Sequence, residues 1–171
     1  VGYSLKVVDG TASNLVDTVS GQVVLLKSDG AGGVVGYVDL NGAADGGEEN
    51  VFTLKVNVNS GVVSLEQLRA IFHPTTDPDE VKSLASGLVK LTATVTDGDN
   101  DTASADFDLG GRVSFRDDSP TATDDTADTV FEGDPLHVVA SGNVLDNDSG
   151  GNDGGKAFVR WNDDANLNQT A

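Results

Sequence analysis

No cysteine occurs anywhere in the 171 residues, so no disulfide can staple the chain and no thiolate can hold a soft metal. Methionine is missing too, position 1 included; the expectation is a fragment or a processed product. Bases are scarce. Ten Lys and Arg face 28 Asp and Glu, for a formal net charge of −18. Such a polyanion offers no footprint for nucleic acid and is repelled by anionic lipid. Its expected partners are cations, or surfaces reached once cations have neutralised it. No apolar run approaches the length of a membrane span, and the N-terminus lacks a signal-peptide pattern. Membrane insertion is therefore not expected, and any export signal is expected outside this stretch. Aromatics are few, and 4 prolines stand against 21 glycines. With abundant Val, Thr and Asp, this composition predicts an all-β fold with many tight turns.

Period-2 alternation is the main pattern along the chain. Val89, Leu91, Ala93 and Val95 share one face of a strand, and Ala103, Ala105, Phe107 and Leu109 share one face of the next. Two such strands around a short turn make a β-hairpin. Further strands are expected at Tyr3–Val8, Gln22–Lys27, Gly33–Val38, Val51–Asn59, Val62–Ser64 and Arg112–Phe115. Two short helices are expected to interrupt them. Ser64-Leu65-Glu66-Gln67 reads as a capping box followed by Leu68, Ile71 and Phe72 at helical spacing, closed by His73-Pro74. Asp77-Pro78-Asp79-Glu80 reads as the capped start of a second helix carrying Val81, Leu84 and Ala85.

A boundary is expected near Phe115–Pro120. Residues 1–118 then form a β-sandwich, and residues 119–171 have too few apolar positions to close a core of their own. They read as the beginning of a second, incomplete β module.

Acidic turns carry the functional signal. In Val95-Thr96-Asp97-Gly98-Asp99-Asn100-Asp101-Thr102 three carboxylates alternate across the hairpin turn. Unpaired, they repel; a hard cation such as Ca²⁺, which takes six to eight oxygen ligands, would make them a cross-link. The alternative is a solvated, metal-free turn, since Asp caps its own backbone. Asp106 and Asp108 on the return strand are candidate helpers. Asp117, Asp118, Asp124 and Asp125 read either as a calcium clasp across a linker, with Glu132 and Asp134 as partners, or as a charged linker. Asp146, Asn147, Asp148 and Asp153 form a third cluster, read as a calcium loop or a plain polar turn. Catalysis is not expected. His73 and His137 read as structural, no Cys nucleophile exists, and neither Gly-x-Ser-x-Gly nor His-Glu-x-x-His occurs. The acids crowd on turns, whereas glycoside hydrolysis needs two carboxyls flanking a cleft.

Gly87 to Ala105 resembles the end of a repeat of giant RTX adhesins, bacterial surface proteins exported by type I secretion. Leu68-Arg69-Ala70-Ile71-Phe72-His73-Pro74, Asp77-Pro78-Asp79-Glu80 and Phe115-Arg116-Asp117-Asp118-Ser119-Pro120 resemble the same repeat. Gly142-Asn143-Val144-Leu145-Asp146-Asn147-Asp148 resembles the opening of a related cadherin-like repeat. The resemblance implies Ig- or cadherin-like sandwiches that bind Ca²⁺ within and between domains, with N-terminal strands of the first repeat missing here. It implies an extracellular, cell-surface location and a non-catalytic extender or scaffold role in adhesion and biofilm attachment. Neighbouring repeats of the same chain would be the partners, and host or abiotic surfaces would be reached through adjacent domains. A Ca²⁺-dependent glycan- or peptide-binding module is the rival reading, with the lone Trp161 as its candidate contact.

Overall fold

A computed structural model describes residues 1–42, 47–125 and 145–151. The chain divides into two units, Val1–Asp118 and Ser119–Ala171. Among the described residues there is no helix, and every named strand lies in the first unit. Strands β2 (Thr11–Val16), β3 (Val23–Ser28), β4 (Val34–Asp39), β5 (Glu48–Val56) and β6 (Val63–Gln67) form one antiparallel meander in that order. Strands β1 (Gly2–Lys6), β8 (Lys90–Thr96) and β9 (Thr102–Asp108) form a three-stranded sheet in the order β1-β8-β9. The short strands β7 (Val81–Ser83) and β10 (Ser114–Arg116) pair separately.

The apolar faces of these sheets close on one core in a β-sandwich-like arrangement. Leu5 comes from β1, Val24 and Leu26 from β3, and Phe115 from β10. Phe52 of β5 meets Phe115 with ring centroids 5.1 Å apart and planes at 51°, a tilted aromatic pair. Gly36 makes room for it, because a side-chain carbon there would run into the Phe52 ring. The alternation expected for the hairpin is present: Leu91 lies opposite Phe107, Ala93 opposite Ala105 and Val95 opposite Ala103. That face is buried only at its base. Val89 is fully buried, whereas Phe107 is 50% exposed, with the Arg112 guanidinium 4.9 Å from its ring centroid.

Neither expected helix forms. Val63–Gln67 is instead the last strand of the meander, paired with β5 from Val56↔Val63 to Phe52↔Gln67. The chain then crosses the end of the sheet. Leu68 and Arg69 donate their backbone N–H groups to the Val51 carbonyl, and Ile71 forms an isolated bridge with Asp17 beside β2. Of the three apolar residues at helical spacing only Ile71 enters the core; Leu68 and Phe72 stay exposed. The backbone partners come from neighbouring strands, so the local capping signal loses to tertiary pairing. Asp77-Pro78-Asp79-Glu80 is a β-turn closed by the Glu80 N–H on the Asp77 carbonyl at 3.1 Å. Pro at the second position of such a turn needs the same φ as Pro opening a helix. The Glu80 carboxylate takes Lys82 at 2.9 Å and the Thr75 N–H and hydroxyl, and these hold its pKa down to about 2, Lys82 foremost.

The crossover brings together a cluster that sequence reading did not find. Asp17 is fully buried, and Arg69, 52 residues away, grips it with two hydrogen bonds of 2.8 Å while also reaching Glu49. Ser20 adds its N–H and its hydroxyl to the same carboxylate. The Arg69 bonds and then the Ser20 bonds outweigh desolvation, and the Asp17 pKa falls from 3.8 to about 2. Asp17 also opens a loop that recurs. Asp17–Gln22 joins β2 to β3, and Asn57–Val62 joins β5 to β6; each is closed by paired backbone bonds and a Gly at positive φ (Gly21, Gly61). In each, the first side chain accepts the N–H of the serine three residues on.

Removing one partner of a buried ion pair strands the other. Asp17→Ala is therefore expected to cost about 3 kcal/mol in urea unfolding, whereas Glu49→Ala, at an exposed carboxylate, is expected to change little. A folded pKa below the unfolded value means that the Asp17 contribution is complete above pH 4 and lost as pH falls toward 2. Unfolding midpoints measured across that window should fall more steeply in the native chain than in Asp17→Asn.

Candidate metal centre

The acidic turn Asp97–Asp101 caps the β8–β9 hairpin, whose ladder runs in register from Lys90↔Asp108 to Thr96↔Thr102. Five residues then reverse the chain. The Asp97 N–H bonds the Asp101 carbonyl at 3.0 Å, and the Asn100 N–H bonds the Asp97 carbonyl at 3.3 Å. Asn100 takes φ +72, a conformation that Asn tolerates better than most side chains. The Asp97 carboxylate folds back inside the turn and accepts the N–H of Asp99 at 3.3 Å and of Asp101 at 3.0 Å. The neighbouring Asp99, followed by those backbone donors, holds Asp97 below the usual carboxylate range.

This local geometry aims the acids at one point. One carboxylate oxygen from each of Asp97, Asp99 and Asp101 lies within 4.8 Å of the others, and all three residues are exposed. Oxygens that share a Ca²⁺ at 2.3–2.6 Å lie no more than about 5 Å apart, so the trio fits that ion. Alternate acids at three successive odd positions also open helix–loop–helix calcium sites, but here they join two strands. Among the described residues no Lys or Arg pairs with any of the three.

The other expected residues are placed differently. Asp106 is four ladder pairs from the turn, about 13 Å along the strand. It accepts the Thr92 hydroxyl at 2.7 Å, with Lys6 at 3.6 Å, and that hydroxyl bond leads in lowering its pKa. Asp108 takes the N–H groups of Gly87 and Gly110. Neither is within reach of the trio. In the first unit, Asp117 donates its N–H to the Glu80 carbonyl at 2.9 Å, and its carboxylate accepts the Asp118 N–H at 3.0 Å. In the second unit, Thr121 and Ser149 form a bridge, the Thr123 N–H bonds Asp148 Oδ1 at 2.8 Å, and the Asn147 amide bonds the Asp124 carbonyl at 3.2 Å. The stretches holding Asp124–Asp125 and Asp146–Asp148 are therefore neighbours, although their described acids form no trio like the hairpin's. Asp153, Glu132, Asp134, His137 and Trp161 lie outside the described residues. His73 follows the Ile71 bridge rather than a helix, with its Nδ1 buried and without a partner among the described residues.

Asp97 organises the turn, while Asp99 and Asp101 crowd it. Without metal, Asp97→Ala is expected to lower the melting temperature through loss of two backbone bonds. Asp99→Ala is expected to leave it unchanged or raise it. Thermal melts in chelator check both.

One protein family, described as Domain of unknown function (DUF5801), matches residues 1–110. That span includes the hairpin and its acidic turn but stops short of β10, which supplies Phe115 to the core. No curated protein and no solved structure matches the chain. On residues 1–110, well over half its length, the chain belongs to the DUF5801 family.

Proposed function

We propose that this chain is a Ca²⁺-rigidified extender or scaffold segment, Ig- or cadherin-like, of a large bacterial surface adhesin exported by type I secretion. It performs no chemistry; its product is stiffness. The observation that carries the reading is the convergence of Asp97, Asp99 and Asp101 at an exposed hairpin tip, with no Lys or Arg paired to them among the described residues. The resemblance of the surrounding segments to RTX adhesin repeats supplies the context.

Asp97, Asp99 and Asp101 would hold the ion, and a bound divalent cation would turn their repulsion into a cross-link between the two strands. In a calcium-poor cytosol the turn stays repulsive and the chain loose for export. Outside the cell, calcium near 10⁻³ M suits the weak sites of extracellular modules. Binding to the folded state alone stabilises it by mass action, by about 2.7 kcal/mol at a hundredfold excess over Kd. Asp117, Asp118, Asp124, Asp125, Asp146, Asp148 and Asp153 are the further acids through which neighbouring repeats of the same chain would be stiffened.

The test is a thermal melt in Ca²⁺ and in chelator, for the native chain and for a chain with Asp97, Asp99 and Asp101 all changed to Asn. Calcium is expected to raise the native midpoint by more than that of the triple variant. Superimposable native curves would sink the proposal. Terbium luminescence on the two chains gives the same comparison directly.

A further inference from the structure

The connection from β4 to β5 carries the one Asn-Gly dipeptide of the chain, Asn41-Gly42. Both residues are exposed, and Gly42 takes φ +73 with open space where a side chain would stand. Asp39, the last residue of β4, turns its carboxylate back onto the connection. Its Oδ1 accepts the Gly42 N–H at 2.7 Å and the Asn41 N–H at 3.2 Å. The Asn41 side chain itself lies against the Gly47 backbone.

We propose that Asn41 is a self-modification site, converted to aspartate and isoaspartate through a succinimide, with Asp39 as the base. The Gly42 N–H proton passes to Asp39 Oδ1, and the freed backbone nitrogen attacks Asn41 Cγ. The new C–N bond closes a five-membered ring while the Cγ–Nδ2 bond breaks. The leaving nitrogen takes up the proton that Asp39 accepted and departs as ammonia. Water then opens the ring. Attack at the side-chain carbonyl yields aspartate; attack at the backbone carbonyl yields isoaspartate, with the main chain rerouted through Cγ. Water is the one co-reactant, and nothing is oxidised or reduced.

Two features single out this position. Glycine leaves the attacking nitrogen unhindered, whereas Asn14, Asn50 and Asn57 precede Leu15, Val51 and Val58. A carboxylate already sits on the proton that must leave, which is the geometry general-base catalysis requires. The product adds a second acid beside Asp39, and the isoaspartate route lengthens the β4–β5 connection by one methylene.

The test is a peptide map of the purified chain over a time course at neutral pH, native and in urea, with an isoaspartate assay. Replacement of NH2 by OH is expected at Asn41 ahead of Asn14, Asn50, Asn57, Asn59 and Asn100. The folded chain should react faster than the chain in urea, and Asp39→Asn should slow the folded reaction about tenfold or more. An Asn41 that lags those residues, or reacts no faster folded than unfolded, overturns the site. An unchanged rate in Asp39→Asn overturns the role of the base.

Discussion

A chain with 28 acids and 10 bases can give only a minority of its carboxylates a cationic partner, and the fold is arranged around what the others do instead. Among the described residues several become turn organisers. Asp9 accepts the Ser28 N–H, Asp29 those of Ala31 and Gly33, Asp39 those of Asn41 and Gly42, and Asp108 those of Gly87 and Gly110. A carboxylate that accepts backbone N–H groups satisfies donors that a tight turn would leave unpaired. Negative charge is thereby built into the connections between strands.

Two sites depart from that rule in opposite directions. Asp17 is buried, and its charge is met in full by Arg69 and Ser20 at the point where the chain crosses from β6 back to β2. The Asp97 turn is exposed, and its three carboxylates converge with no base among the described residues to meet them. The first is complete within the protein. The second is left to solvent, and a hard cation with oxygen preference has the chemistry to join its three acids.

How much of this was legible in the sequence follows from the range of the interactions. The β8–β9 hairpin and its acidic trio are local, so alternation and spacing revealed both. Strand β2 was missed because the inward position Ser13, and Asp17 just past the strand's end, are polar, so the alternate burial of Ser13, Leu15 and Asp17 leaves no apolar alternation. Strand β7 is three residues long and owes its existence to β10, some thirty residues later. The helices were misread because Ser64–Gln67 and Asp77–Glu80 carry signals that serve strand edges and turns equally well. The Asp17–Arg69 pair spans the crossover and leaves no local pattern at all. The serine-glycine loops at Ser20-Gly21 and Ser60-Gly61 did leave one, a repeated Ser-Gly three residues after Asp or Asn.

The hairpin tip is where calcium is bound or absent. A crystal structure of the chain grown in calcium, with anomalous scattering to identify the ion, is the most direct measurement. The expected result is a Ca²⁺ bound 2.3–2.6 Å from one oxygen of each of Asp97, Asp99 and Asp101, with carbonyl and water oxygens completing its shell. An ordered turn at saturating calcium with only water among those three carboxylates would contradict it.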